Sequence, residues 1–136
     1  MTATETGARA NGTMGEDRVE NGTVVCPLTR IEVEGGVAAL VDGEAVAVFR
    51  TFEDEVYALS NYDPFSRASV LSRGIVGTRT IDGVEVPFVA SPMHKQAFDL
   101  RTGRCLDEES VTVTTYDVHV VDGQVIVGRR RESGAG

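Results

Sequence analysis

A chain of 136 residues corresponds to one domain, or to one domain with tails, and this length argues against a two-domain enzyme. The 21 acidic and 13 basic residues give a formal net charge of −8, which argues against nucleic acid and anionic membranes as partners, since both attract basic faces. Two cysteines and two histidines are the whole supply of sulfur and imidazole ligands, so only a small metal site could be built.

Both ends of the sequence are predicted to be flexible. Residues 1–22 are polar and small with no apolar period, so they cannot offset the entropy of ordering and form a disordered tail. The last eight residues, 129–136, are basic and then glycine-rich, and they form a second tail. One folded domain spanning 23–128 remains between the two tails.

The sequence carries no recognisable targeting segment. Residues 1–22 lack the basic stretch and following apolar stretch of a secretory signal, and the apolar run 37–41 is far shorter than the about 20 residues that span a bilayer. We therefore expect a cytoplasmic protein without a membrane partner. In that reducing compartment, Cys26 and Cys105 are expected to be free thiols.

Three Asp-Gly pairs lie between apolar runs along the domain. Asp-Gly supplies the positive φ angles of a type I′ turn, so each pair predicts a β-hairpin. The predicted hairpins are Val37–Val41 with Glu44–Phe49, Thr80–Ile81 with Val84–Val86, and Val118–Val121 with Gln124–Val127. The other predicted elements are strands at Val56–Leu59 and Val111–Thr114, a short helix or turn at Arg67–Leu71, and a bend or strand end at Pro87.

The residue composition supports an all-β fold. Valine occurs 21 times and threonine 13 times, against six leucines, and β-branched side chains pack well on a pleated sheet. No stretch shows a sustained helical period. The sequence predicts a small sandwich or barrel of about eight to ten short antiparallel strands.

Two proline-containing loops carry a family resemblance. The second loop has the sequence Ser91-Pro92-Met93-His94 followed by Phe98-Asp99-Leu100-Arg101-Thr102-Gly103, and it resembles the second cluster-binding loop of Rieske iron–sulfur proteins. The first loop has Ala58-Leu59-Ser60-Asn61 before Asp63-Pro64-Phe65, and it resembles the first cluster-binding loop. The resemblance covers nearly all of residues 24–128 and implies the all-β Rieske-like sandwich or barrel.

The cluster ligands of the Rieske family are missing from this chain. A Rieske [2Fe–2S] centre needs two cysteine thiolates on one iron and two histidines on the other. The matching positions hold Asp63, Phe65, Ser91 and His94. We therefore expect the domain to have the Rieske-like fold without a cluster, and we expect no other metal on the chain.

Several interpretations of single side chains stay open. Asp63, which precedes proline, forms an Asx turn in one interpretation and contributes with Ser91 to a weak oxygen-only metal site in another. His94 is expected at the loop surface, and His119 on the solvent-facing side of its strand. Both cysteines are expected to be buried, and the two cysteines and two histidines lack the close spacing that is typical of a metal loop.

The residues that replace the ligand motifs resemble a more specific family. They are Asn-x-Asp-Pro-Phe at 61–65, Ser-Pro-x-x-Lys-Gln-x-Phe-Asp-Leu-x-Thr-Gly-x-Cys-Leu at 91–106, and the stretch 69–77. All three are similar to the small subunit of the assimilatory NAD(P)H-dependent nitrite reductase. This resemblance implies a non-catalytic cytoplasmic subunit of nitrate assimilation, whose partner is a large subunit with FAD, a [4Fe–4S] cluster and sirohaem. It implies no cofactor and no independent active site on this chain.

The two loops are the predicted surface for docking to the large subunit, because they lie together at one tip of this fold. The candidate residues are Asp63, Phe65, Arg67, Met93, His94, Lys95 and Gln96. The acidic runs 53–55 and 107–109 are interpreted as solvated turns, or alternatively as a docking face for a basic partner.

Two other functions remain as alternatives. In the first, the chain is a Rieske [2Fe–2S] ferredoxin-type electron-transfer component of an oxygenase or reductase, which demands a bound cluster. In the second, it is a regulatory module that senses redox state through Cys105.

Overall fold

The computed structural model describes residues 17–19 and 22–131, and within them it is almost entirely β-structure. The strands are β1 Asp17–Val19, β2 Gly22–Pro27, β3 Gly35–Val41, β4 Glu44–Arg50, β5 Val56–Ser60, β6 Tyr62–Asp63, β7 Ala68–Ser69, β8 Ile75–Ile81, β9 Val84–Ala90, β10 Ala97–Asp99, β11 Thr115–Val121 and β12 Gln124–Arg130. Two short 3-10 helices are Leu28–Arg30 and Leu71–Arg73. The predicted all-β class is confirmed.

The three Asp-Gly turns form the hairpins predicted for them. Asp42, Asp82 and Asp122 each have a φ of 52°, and the glycine that follows each has a φ of 79° or 80°. Two consecutive left-handed residues make the type I′ turn, whose twist matches that of the paired strands. The hairpins β3–β4, β8–β9 and β11–β12 are therefore determined by local sequence.

The strands of the described residues pair into one large antiparallel sheet and two small ones. The large sheet has the order β1-β2-β12-β11-β5-β4-β3, and the three-stranded sheet has the order β10-β9-β8. Strands β6 and β7 form the remaining two-stranded sheet. Both predicted loops belong to the small sheets, since one joins β6 to β7 and the other joins β9 to β10.

Two hydrophobic clusters form the core of the described domain. One gathers side chains of the large sheet, among them Val46 and Val125. The other contains Phe49 of β4, Leu59 of β5 and Phe98 of β10, all fully buried. Full burial of such a side chain stabilises the fold by about 1.5–3 kcal/mol. The second cluster therefore fixes the three-stranded sheet, and the loop that it carries, against the large sheet.

The prediction that a strand bends or ends near Pro87 is wrong. Strand β9 continues through Pro87 to Ala90 and pairs with β8 and β10. The Pro87 carbonyl accepts a hydrogen bond from Leu100 N at 2.9 Å, so the Pro87 nitrogen also faces that side, just beyond the end of β10. The proline is tolerated because no neighbouring strand needs its missing N–H there.

Two further predicted elements differ in detail. Residues 111–114 form an isolated bridge from Thr112 to Arg104 instead of a strand, because their backbone bonds to the preceding loop, with Val113 N donating to Gly103 O at 2.8 Å. The predicted helix or turn at Arg67–Leu71 is a turn that ends at Arg67, followed by β7. A single turn of 3-10 helix begins only at Leu71.

The ordered sheet extends beyond the predicted domain limits of 23 and 128. Strand β1 lies within the predicted tail 1–22 and pairs with β2. Strand β12 continues to Arg130, whose guanidinium pairs with the Glu44 carboxylate, and Tyr116 Oη donates to that carboxylate at 2.5 Å. The rest of the predicted tails, at 1–16, 20–21 and 132–136, lies outside the described residues.

None of the helices in the described residues is long and apolar enough to cross a membrane.

Candidate functional site

The first loop is organised by the side chain of Asp63. Its Oδ1 accepts a hydrogen bond from Phe65 N at 2.9 Å, and its Oδ2 accepts one from Ser66 Oγ at 2.8 Å. The Asp63 carbonyl accepts a third bond from Arg67 N at 2.7 Å, and Arg67 is left-handed with a φ of 59°. The bond to Phe65 N is the Asx turn, which confirms that interpretation of Asp63.

The second loop repeats this geometry with Ser91 in the place of Asp63. The Ser91 Oγ accepts hydrogen bonds from Met93 N at 3.2 Å and from His94 N at 3.4 Å. The Ser91 carbonyl accepts one from Lys95 N at 3.0 Å, and Lys95 is left-handed with a φ of 66°. Each loop thus has a capping side chain and, four residues later, a cationic residue with a left-handed backbone conformation.

A hydrogen bond joins the two loops directly. The Ser91 hydroxyl donates to Oδ2 of Asp63 across 28 positions of sequence, and both residues are buried. The Asp63 carboxylate therefore accepts bonds from both loops at once. The structure brings together these two of the predicted site residues, and it uses them to hold the loops against each other.

The electrostatics of Asp63 follow from these bonds. Burial alone would raise the pKa of its carboxyl group, because the charged form loses water. Hydrogen bonds from Ser91, Ser66 and the backbone N–H groups of Phe65 and Ser66 outweigh burial and hold the pKa below its usual value. Asp63 is therefore a buried, ionised carboxylate whose charge is stabilised by neutral hydrogen-bond donors.

This lowered pKa predicts an acid-dependent loss of stability. In the unfolded chain an aspartate titrates near about pH 4, so the contribution of the Asp63 charge is complete above that pH and is lost as the pH falls through the lower folded value. Asp63→Asn has no such charge to lose. Urea unfolding at a series of pH values is therefore expected to show the stability gap between the wild type and Asp63→Asn narrowing towards about pH 3. A gap of constant size would contradict the assignment.

Phe65 occupies the interior of the site. Its ring lies 6.0 Å from the ring of Phe98, centroid to centroid, at a tilted angle of 47°. Phe65 is half-buried and packs against the second core cluster. This position adds apolar contact where a Rieske domain would place a ligand, so the first loop is anchored by packing as well as by hydrogen bonds.

The residues present do not fit a [2Fe–2S] cluster. Such a cluster needs two thiolates and two imidazoles, whereas Phe65 has no lone pair to donate. The carboxylate of Asp63 and the hydroxyl of Ser91 are occupied by internal hydrogen bonds. Of the four positions, only His94 carries an imidazole, and it is exposed.

The remaining cysteines and histidines do not come together either. Cys26 lies in the first core cluster and Cys105 in the second, both as buried free thiols, which confirms that prediction. His119 is half-buried on β11 opposite Ile126, so it is less solvent-exposed than predicted. Within residues 17–19 and 22–131, no group of three His, Cys, Asp or Glu residues is arranged to hold a metal ion.

The predicted docking residues divide by exposure. Arg67, Met93, His94 and Lys95 are exposed at the two loops. Phe65 and Gln96 are half-buried, and the main-chain carbonyl of Gln96 accepts a hydrogen bond from Ser91 N at 2.9 Å. Asp63 is fully buried, because its carboxylate accepts hydrogen bonds within the site. The prediction that a partner contacts Asp63 directly is therefore wrong.

Two residues of the site were missed by sequence reasoning. Ser66 donates to Asp63, and the Asp-x-x-Ser spacing of a capped turn was the available signal. Asn61, which is buried, bridges the first loop, because Nδ2 donates to Ser69 O at 3.2 Å and Oδ1 accepts from Ser72 N at 2.7 Å. Its partners Ser69 and Ser72 lie 8 and 11 residues later in the sequence, and no local sequence pattern predicts these hydrogen bonds.

Known proteins with similar sequences include subunits of one enzyme. The family of Rieske-like [2Fe–2S] domains matches residues 21–128. The nitrite reductase (NADH) small subunit of Salmonella typhimurium is 44% identical over 102 residues, which are 74% of this chain and 91% of that protein. The nitrite reductase NAD(P)H large subunit of Klebsiella oxytoca is 40% identical over 107 residues, which are 79% of this chain but 11% of that protein.

Solved structures share the fold. The nitrite reductase NAD(P)H small subunit from Erwinia carotovora aligns with a TM-score of 0.66 at 42% identity, covering 84% of this chain and 85% of that one. The ferredoxin of carbazole 1,9a-dioxygenase from Nocardioides aromaticivorans aligns with a TM-score of 0.64 at 28% identity, covering 78% of this chain and 97% of that one. The residues of the two loops, rather than the fold, must therefore distinguish the functions.

Proposed function

The chain belongs to the Rieske-like [2Fe–2S] domain family and, within it, to the small subunits of NADH-dependent nitrite reductase, and from this premise we propose that it is a non-catalytic subunit that docks to a large redox subunit. In this proposal the large subunit carries FAD, a [4Fe–4S] cluster and sirohaem, and it reduces nitrite to ammonium. The holoenzyme works in the cytoplasm in nitrate assimilation. The observation that carries the proposal is the 44% identity to a named small subunit over 91% of its length.

The Klebsiella oxytoca relative supports the choice of partner. A stretch similar to this chain makes up 11% of a polypeptide that is itself named a large subunit. A domain of this kind thus occurs covalently joined to the rest of a large subunit in one protein. We infer that the separate chain occupies the equivalent place by non-covalent docking.

The geometry of the loops supports the absence of a cluster on this chain. A hydrogen bond between Ser91 and Asp63 and the packing of Phe65 on Phe98 already tie the loops to each other and to the core. With these residues engaged in that way, the loops lack the two thiolates and two imidazoles that would bind the iron atoms. The proposed role is therefore structural: the chain stabilises the large subunit or shapes its electron-entry face.

The ferredoxin alternative has less support. It rests on a 28% identical structural relative, and it requires two thiolates and two imidazoles at loop positions where this chain has one imidazole, that of His94.

Docking is tested by mixing the purified chain with the large subunit. Size-exclusion chromatography is expected to show co-elution, and nitrite-dependent oxidation of NADH by the large subunit is expected to change when the chain is added. Separate elution together with an unchanged rate would sink the subunit proposal.

The redox-sensor alternative requires a reactive thiol at Cys105 in the folded chain. Burial raises the pKa of the Cys105 thiol, and burial likewise raises that of Cys26, so little reactive thiolate forms near neutral pH. We expect a thiol reagent to label the folded chain at least about 100-fold more slowly than the urea-unfolded chain, since access requires opening of the core. Rapid labelling of Cys105 in the folded chain would support the redox-sensor alternative.

A further inference from the structure

The surface formed by the two loops differs in charge from the rest of this acidic chain. Residues 60–81 and 86–98 together contain one of the 21 acidic residues, Asp63, and that carboxylate is buried. We call the exposed surface of these loops the tip, and define it by Tyr62, Arg67, Met93, His94 and Lys95. The tip therefore presents cations and no carboxylate.

The two full cations of the tip are free to meet a partner. Among the described residues, Arg67 and Lys95 take part in no ion pair. By contrast, Arg50 and Arg130 are neutralised by carboxylates of this chain. The positive potential of the tip is thus not cancelled locally.

Both cations also stand at strained backbone positions. Arg67 and Lys95 have φ values of 59° and 66°, a region that costs a residue with a Cβ about 1–2 kcal/mol and that glycine adopts freely. Each is the residue four places after the capping side chain of its loop. A charged side chain in place of glycine at both equivalent positions points to a use for the charge.

Exposed apolar side chains lie within the tip and beside it. Met93 is 59% exposed within the tip, and Ile75, which is 72% exposed, pairs with Ala90 immediately before Ser91. Tyr62 is also exposed, on the strand that precedes the first loop. Exposed Met and aromatic side chains beside unpaired cations are the composition of an interface core with a charged surround.

We propose that the tip binds an acidic surface of the large subunit, one on which carboxylates surround an apolar patch. This inference rests on the proposed subunit function and names the chemistry of the partner surface. Arg67 and Lys95 pair with those carboxylates and speed association, while Met93 and Ile75 bury against the apolar patch. This proposal assigns docking to the cationic tip, whereas the sequence-based alternative assigns it to the acidic runs and a basic partner.

The acidic run 53–55 faces a different part of the domain, whereas Asp107 of the run 107–109 lies beside β10, where its Oδ2 accepts a hydrogen bond from Ala97 N at 2.9 Å and its Oδ1 pairs with Arg79 at 3.6 Å. Glu53 and Glu55 line a cavity of about 350 Å³ with Glu85, which is next to the β8–β9 turn. The tip lies at the opposite end of β9, after Ala90. The acidic cavity and the tip can therefore be altered separately.

The test compares two charge reversals in the full chain, measured by surface plasmon resonance against the large subunit. The tip variant is Arg67→Glu with Lys95→Glu, and the control is Arg30→Glu with Arg129→Glu, which adds the same negative charge at exposed positions outside the tip. The association rate of the tip variant is expected to fall about 10- to 100-fold at low salt and to lose most of its salt dependence, while the control changes less than about 3-fold.

The outcomes separate this inference from the subunit proposal. A wild-type chain that does not bind the large subunit overturns both. If the wild type binds and the tip variant keeps the full association rate, the acidic-partner inference alone is overturned. The same holds if the control variant loses as much of the association rate as the tip variant. The milder pair Arg67→Gln with Lys95→Gln, expected to reduce the association rate about 3- to 10-fold, keeps the test valid if the double reversal does not fold.

Discussion

Replacing Ser91 by alanine is expected to lower the free energy of unfolding by about 2–3 kcal/mol, which is large for the loss of one hydroxyl group. The change removes the donor that Asp63 receives from the second loop, and it leaves a buried carboxylate short of one hydrogen bond. It also removes the acceptor for the N–H groups of Met93 and His94. Urea denaturation near neutral pH measures the effect.

The control for this prediction is Ser110→Ala. The Ser110 hydroxyl also donates to a carboxylate, that of Glu108 at 3.3 Å, but both groups are exposed. Water replaces such a bond, so the control is expected to change stability by less than about 0.5 kcal/mol. Equal effects of the two substitutions would show that the bond between the loops contributes no more than a surface contact.

Gly103→Ala is expected to lower the free energy of unfolding by about 3–4 kcal/mol, because it combines a left-handed backbone with a clash against backbone. Gly103 has a φ of 82°, and a Cβ there would lie 2.1 Å from the carbonyl oxygen of Val113. That oxygen belongs to backbone, so relief requires the segment after Cys105 to move. Thermal or urea unfolding of the purified variant measures the loss.

Gly83→Ala is the control that separates the cost of backbone strain from the cost of the Cβ clash at Gly103. Gly83 has a φ of 80°, almost that of Gly103, but a Cβ there would meet nothing within 4 Å. Gly83→Ala is expected to lower the free energy of unfolding by only about 1–2 kcal/mol, which is the cost of the left-handed backbone. If Gly103→Ala cost no more than Gly83→Ala, close packing would not be the reason for Gly103 in the Thr-Gly motif.

The parts of the fold that sequence predicts are those with local causes. The three hairpins follow from Asp-Gly pairs, whose backbone preference acts within four residues. The Asx turn of Asp63 is local for the same reason. Pro87 was misjudged because its tolerance depends on where β10 ends, which is a property of the sheet.

The candidate site was predicted only in outline. Its loops were located by their resemblance to Rieske loops, but the hydrogen bond between Ser91 and Asp63 spans 28 positions and has no sequence period. The burial of Asp63 follows from that bond and from the packing of Phe65, so it could not be predicted from either loop alone. Likewise, net charge gave no sign that the tip is cationic, because a total does not report distribution.

These observations suggest how a cluster-binding scaffold keeps its shape without iron. In a Rieske protein the cluster is bonded to both loops. In this chain a buried carboxylate takes hydrogen bonds from both loops, and Phe65 fills the space between them and the core. We therefore expect the loops to be ordered in the absence of any metal.

Iron and acid-labile sulfide analysis of the purified chain, repeated after incubation with iron and sulfide under reducing conditions, tests whether the loops hold a cluster. We expect no stoichiometric iron or sulfide in either sample, and the same free energy of unfolding before and after incubation. About two irons and two sulfides per chain, accompanied by the visible absorbance of a [2Fe–2S] centre, would contradict it.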